Sequence, residues 1–194
     1  GKVEEIEGLK SKIKAYFMQQ NEVPIVAISF VFADVGSAYD DEGKKGIASL
    51  TASTITDGTI FKSADAIRDE TGIRGISISF ESSKDSIGGS LVAPKEHLED
   101  AIALLRDILT KPKFERKYLE IAKAQVIKSL EVEKENPAKE LSLANDKLIF
   151  GRHEYAQNPL GNKQDVLNIS QADLKKFVRE NLAKDNLYVG IAGD

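Results

Sequence analysis

The sequence has no cysteine and no tryptophan, one methionine, five prolines and two histidines in 194 residues. Without cysteine there is no disulfide staple, no thiolate metal site and no cysteine nucleophile. The absence leaves the redox compartment open, because a cysteine-free chain suits cytosol and periplasm equally. Imidazole chemistry is restricted to His97 and His153, which would need each other and carboxylates to hold a metal. One opens an exposed helix and the other sits in a polar loop, so both read as solvated surface residues. An excess of positive charge is missing too. Lys and Arg number 27 against 31 Asp and Glu, a net charge of −4 without the basic footprint of a nucleic-acid binder. The longest apolar stretch, Pro24 to Ala33, falls well short of the ~20 residues that a transmembrane helix takes. The opening Gly1-Lys-Val-Glu-Glu5 lacks the apolar run of a signal peptide, and a start without Met leaves room for an upstream segment.

What is present is an ordinary globular composition, 41% hydrophobic and 30% charged, at a length that supports one large domain. After a mixed extended run, Lys10 to Met18, and a turn at Asn21 to Pro24, Ile25 to Ala33 reads as a buried central strand. From Lys45, the residues Ile47, Leu50, Thr54 and Ile55 recur at helical spacing until Asp57-Gly58. A short helix follows over Ser63 to Glu70, with Gly72 as its stop. Ile76 to Phe80 alternates apolar and polar, as a strand with one wet face should. Its return strand, Ile87 to Val92, carries a weakening Gly88-Gly89. Helices are predicted over Glu96 to Thr110, Phe114 to about Glu135, and Asn136-Pro137 to Phe150. Arg152 to Asn162 reads as loop, Ser170 to Asp173 as a capping box before another helix, and Leu187 to Ala192 as a closing strand. The order implies one α+β domain over residues 1–194, an antiparallel-rich sheet with helices packed on one face.

Chemistry is harder to find. Gly88-Gly89 and Gly43-x-x-Gly46 lack the spacing of a phosphate loop and read as turn glycines. The run Lys128 to Glu135 reads as a solvated helix face with pairing one turn apart. Lys128 and Ser129 are consecutive on a helix, point about 100° apart, and cannot share a proton easily. Composition and spacing alone stop at an α+β domain without a visible active site.

The order of several short motifs goes further. Val23-Pro24-Ile25-Val26 is followed by Gly36-Ser37, Asp40-Asp41, Gly46-Ile47-Ala48 and Gly58-Thr59. Then come Ser83-Lys84-Asp85-Ser86, Asn136-Pro137, Phe150 to Gly161, Ile169 to Leu174, and Asn186 to Asp194. Together these resemble the pitrilysin (insulinase, mitochondrial processing peptidase) family of zinc metallopeptidases over nearly the whole chain. The resemblance implies an inverted zinc motif, His-x-x-Glu-His, on the helix after Gly46. Ser49, Ala52 and Ser53 stand there instead, and Ser129 stands where a downstream glutamate ligand belongs. Serine is a poor zinc ligand beside imidazole and carboxylate, and Ala52 cannot accept a proton.

The resemblance therefore implies no catalytic residue, no metal and no cofactor in this chain. It implies a non-catalytic subunit or half-chain that helps a zinc-bearing homologous subunit, or a second domain, enclose extended peptide. A second homologous domain is expected to follow. Peptide would dock on the strand edge at Ser79-Phe80 by main-chain pairing. A structural subunit of a larger complex, or part of an active zinc peptidase whose metal site lies elsewhere, are the alternatives. Among compartments the resemblance leans to the bacterial periplasm, with cytoplasm and mitochondrion left open.

Overall fold

The computed structural model describes residues 3–7, 14–19, 24–135 and 157–193, together with positions 141, 142, 145, 148 and 149. The helix expected from Asn136-Pro137 to Phe150 has its capping residues outside the described residues, and its described positions are helical. His153 also lies outside them.

Six strands form one sheet in the order β1-β2-β6-β3-β5-β4. These are β1 (Val3–Glu7), β2 (Lys14–Gln19), β3 (Ile25–Ala33), β4 (Ser77–Ser82), β5 (Ser86–Pro94) and β6 (Leu187–Gly193). Every neighbouring pair is antiparallel except β2 with β6. The antiparallel-rich α+β fold expected from the sequence is therefore present. Two elements escaped that reading. The polar Val3–Glu7 forms an edge strand, and Lys163–Asn168 forms a short helix capped by the Asn162 side chain.

The β-branched and aromatic run of β3 sits between β5 and β6, where strand propensity and burial agree. Val26, Ile28, Phe30 and Phe32 are buried under the helices, while Ile25 and Val31 stand exposed on the opposite face. The helices are α1 (Ile47–Thr54), α2 (Ala64–Arg74), α3 (Leu98–Thr110), α4 (Arg116–Lys134), α5 (Lys163–Asn168) and α6 (Gln171–Asn181). α2 runs past the expected stop. Gly72 is exposed inside it, and Gly75, with φ 64°, takes the left-handed position that ends it. The capping box at Ser170 is formed in full, each of Ser170 and Asp173 accepting the other's backbone N–H.

A core of Leu50, Ile55, Ile108, Phe114, Val166 and Leu174 joins the helices to one another. Smaller clusters around Val26, Leu91 and Ala101, and around Phe30, Phe32, Ala48 and Ile87, seat them on the sheet. The charge run on α4 reaches beyond its own helix. Glu131 accepts a hydrogen bond from Lys163 at 3.0 Å, and Glu133 from the Asn158 amide at 2.6 Å.

The weak point in β5 has a packing reason. The Phe30 ring of β3 lies across Gly89 and meets Phe80 of β4 edge-to-face at 5.2 Å. A Cβ on Gly89 would stand 2.5 Å from that ring and 2.3 Å from the Ser79 carbonyl oxygen. Gly190 of β6 faces open space within 4 Å. Gly89→Ala should thus destabilise the protein by about 1–3 kcal/mol through overpacking. Gly190→Ala should stay within about 1 kcal/mol of the parent. Urea unfolding of both variants checks the pair, and equal losses would mean that the glycines are not distinguished by their neighbours.

Candidate functional site

α1 is the element on which the resemblance places the site, and its start is held by charged groups. The Asp40 carboxylate accepts the N–H of Gly46 at 2.8 Å and of Ala48 at 3.2 Å, satisfying donors that the first helical turn leaves free. Lys45 is buried, donates to the Asp40 carbonyl oxygen, and lies 3.6 Å from the Glu42 carboxylate. Its own N–H donates to Asp165 of α5 at 3.0 Å. Lys44 donates to Asp173 at 2.8 Å and to the Asn168 carbonyl at 3.1 Å. Hydrogen bonds from Lys44 and Ser170 outweigh the burial that opposes them, and hold the Asp173 carboxyl down at about 2.

The chain is drawn close at this node. Gly46, with φ 99°, caps α1 in the left-handed region, and a Cβ there would stand 2.6 Å from the Leu160 carbonyl oxygen. The loop before α5 is therefore packed directly on the start of α1.

Beyond the node, α1 packs against β4, α4 and α6. Ile47, Leu50, Thr51, Thr54 and Ile55 are buried. Of the three positions expected to hold motif residues, Ser49 is half-buried, Ala52 is buried and Ser53 is exposed. The i,i+4 spacing puts Ser49 and Ser53 on one face of the helix. The Ser53 hydroxyl donates back to the Leu50 carbonyl at 3.1 Å. Ser129 is exposed on α4, the helix that packs beside α1. Two hydroxyls and a methyl on α1, with a third hydroxyl on α4, are a donor set that does not fit a zinc ion. Among the described residues, no group of three His, Cys, Asp or Glu side chains is placed to hold a metal. Neither α1 nor α4 carries an imidazole that would activate a serine hydroxyl.

β4 lies at one edge of the sheet and, among the described residues, pairs only with β5. The structure separates the two residues expected there. The Ser79 side chain is exposed and its Oγ lies 3.0 Å from Ser90 Oγ, while Phe80 turns its half-buried ring to the core. The Ser79 carbonyl oxygen points across to β5, as its approach to Gly89 shows. Main-chain groups alternate along a strand, so Ile78, Phe80 and Ser82 aim theirs at the open edge. His97 sits in the turn before α3, its Nε2 3.9 Å from Glu96, away from both elements.

Comparison with known proteins sets this geometry in context. The sequence matches the family described as insulinase (peptidase family M16) over residues 17–162. It is 26% identical over 186 residues to the non-peptidase homologue YmxG of Helicobacter pylori, covering 95% of this chain and 43% of that protein. It is 24% identical over 172 residues to the beta subunit of the mitochondrial-processing peptidase of Dictyostelium discoideum, covering 87% of this chain and 36% of that protein. A peptidase M16 inactive domain from Pseudomonas fluorescens superposes with a TM-score of 0.91 at 27% identity, over all of this chain and 47% of that one. The periplasmic protease PqqL of Escherichia coli shares the fold alone, with a TM-score of 0.84 at 13% identity, over 99% of this chain and 22% of that one. The chain thus spans less than half the length of the curated relatives it matches. No helix among the described residues is long and apolar enough to cross a membrane.

The node also titrates. Burial pushes the Asp40 carboxyl from 3.8 up to about 7, against the pull of the Gly46 and Ala48 amides and of Lys45. A folded value above the unfolded one contributes stability that is complete below pH 3.8 and lost as pH rises through about 7. Asp40→Asn removes that dependence and leaves one amide without its acceptor. The variant should be less stable than the parent at pH 3.8, and the difference should shift in the variant's favour between those limits by up to about 1.4 kcal/mol per pH unit. Urea unfolding across that range measures it; a constant gap would mean that Asp40 ionises in the folded protein as an ordinary carboxyl does.

Proposed function

This chain belongs to the insulinase family, peptidase family M16, and from that premise we propose that it is a non-catalytic member that holds extended peptide for a catalytic partner. One observation carries the reading. The helix that should bear the zinc motif is anchored as firmly as an active site demands, yet presents Ser49, Ala52 and Ser53 beside the sheet edge β4. Scaffold and chemistry have parted, and what remains suited to a substrate is an edge strand with unpaired main-chain groups.

In this reading the partner is a zinc-bearing homologous subunit or a second homologous domain of the same protein. The chain's coverage of less than half of its curated relatives supports such a second domain. Two relatives, one known as a non-peptidase homologue and the other as an inactive domain, support the absence of catalysis. The same reading favours a bacterial periplasm, to which the resemblance to paired bacterial peptidases leans, over cytoplasm and mitochondrion.

The positional assignment has a direct test. Ser49→His, Ala52→Glu, Ser53→His and Ser129→Glu together should bring about one zinc per chain through dialysis, measured by metal analysis, while the parent retains far less. Peptidase activity should stay low, because groups that orient the ligands are not restored with them. A folded quadruple variant that takes up no zinc would show the alignment to be wrong.

Peptide holding is tested at the edge. The full protein with its partner should bind an extended peptide, and lose most of that affinity when alternate peptide amides are N-methylated. Ser82→Pro removes one outward donor at the end of β4, where proline is tolerated. It should weaken binding about 2–10-fold, the worth of one hydrogen bond. Failure of any extended peptide to bind would make the chain a structural subunit.

A further inference from the structure

A groove of about 450 Å³ runs between the C-terminal end of α3 and the stripe of α6 that carries Lys175, Arg179 and Leu182. Leu109, Val178 and Leu182 give it an apolar lining, with Ile60 at one end. Ile60 is 58% exposed and its neighbour Phe61 is 64% exposed, so the apolar surface continues beyond the groove. Three cations line the same groove, Lys111 at the end of α3 and Lys175 and Arg179 on α6.

The two cations on α6 have no acidic residue one turn away. Lys175 and Arg179 stand one helical turn apart, where like charges repel. The residues one turn from either are Gln171, Ala172, Lys176, Val178, Leu182 and Ala183, none of them acidic. No Asp or Glu lines the groove, and no ion pair among the described residues engages any of the three cations. In a chain with a net charge of −4, such a concentration of unpaired cations runs against the overall balance.

We propose that this groove binds an acidic amphipathic peptide segment of a partner protein. Its apolar side chains lie on Leu109, Val178 and Leu182, and its carboxylates meet Lys111 on one wall and Lys175 and Arg179 on the other. A single small anion would leave the apolar lining bare, and a fatty acid brings one carboxylate to three cations. A segment carrying several carboxylates about a turn apart, with leucine-like side chains between them, answers both features. The proposal uses no residue of α1 or β4, so it stands or falls apart from the peptide-holding reading.

The probe is a fluorescein-labelled heptapeptide, Glu-Leu-Asp-Glu-Leu-Leu-Glu, against its uncharged analogue Gln-Leu-Asn-Gln-Leu-Leu-Gln, followed by anisotropy with the full-length protein at low salt. The acidic peptide should bind at least about tenfold more tightly than the analogue, and weaken when salt is raised to about 0.5 M. Lys175→Glu with Arg179→Glu should lower its affinity at least about tenfold. Should that double variant not fold, Lys111→Glu on the other wall reads the same loss, and the comparison of the two peptides needs no variant. Equal binding of both peptides, no binding of either at millimolar concentration, or unchanged affinity in a folded charge-reversed variant overturns the proposal. Binding of decanoate without binding of the acidic peptide overturns it as well, and gives the groove to a lipid.

Discussion

A carboxylate that takes the first amide protons of a helix fixes where that helix begins, and here Asp40 does so from a buried position. Burial makes the interaction costly to lose, because Gly46 and Ala48 would then present unpaired donors away from water. The consequences spread from there. Lys45, beside the cap, is tied to Asp165, and Lys44 to Asp173, so the starts of α1, α5 and α6 meet in one polar node. α1 is thereby held in register against β4 and α4.

That firmness rests on residues other than the three positions that the resemblance singles out. The residues that place α1 are Asp40, Gly46 and the buried Ile47, Leu50 and Ile55, none of which would touch a metal. Ser49 and Ser53 lie toward the surface and Ala52 is small, so side chains at these positions can change without opening the core. The residues that anchor the helix and the positions that the resemblance singles out are therefore different ones.

Much of this was legible in the sequence because patterning and burial agree. β3 announced itself through a run rich in β-branched and aromatic residues, α3 through its apolar stripe, and α6 through its capping box. β1 was not legible, since Val3–Glu7 is polar and owes its strand state to pairing with β2. Gly72 misled for a similar reason. A glycine inside a helix is a weak stop, and the residue that adopts the left-handed conformation is Gly75. At the site, the order of motifs indicated Ser49, Ala52 and Ser53, but not the node. Asp40 acts through a bond to Gly46 and Lys45 through one to Asp165, and no local pattern couples residues 40 and 165. The direction of main-chain groups at Ser79 and Phe80 likewise depends on register with β5 rather than on residue type.

β6 occupies the middle of the sheet although it is the last strand in sequence. Its register runs Lys14↔Tyr188 to Gln19↔Gly193 on one side and Val26↔Gly193 to Phe32↔Leu187 on the other. The hairpin of β1 and β2 joins the remainder of the sheet only through this strand. A growing chain therefore cannot close its sheet until Leu187–Gly193 has left the ribosome. Until then β3 offers a long unsatisfied flank of Ile25–Ala33, rich in the side chains that favour intermolecular pairing. Synthesis runs against the architecture. Closure joins residues separated by most of the sequence, a topology that folds slowly and gives a chaperone its longest opportunity to act.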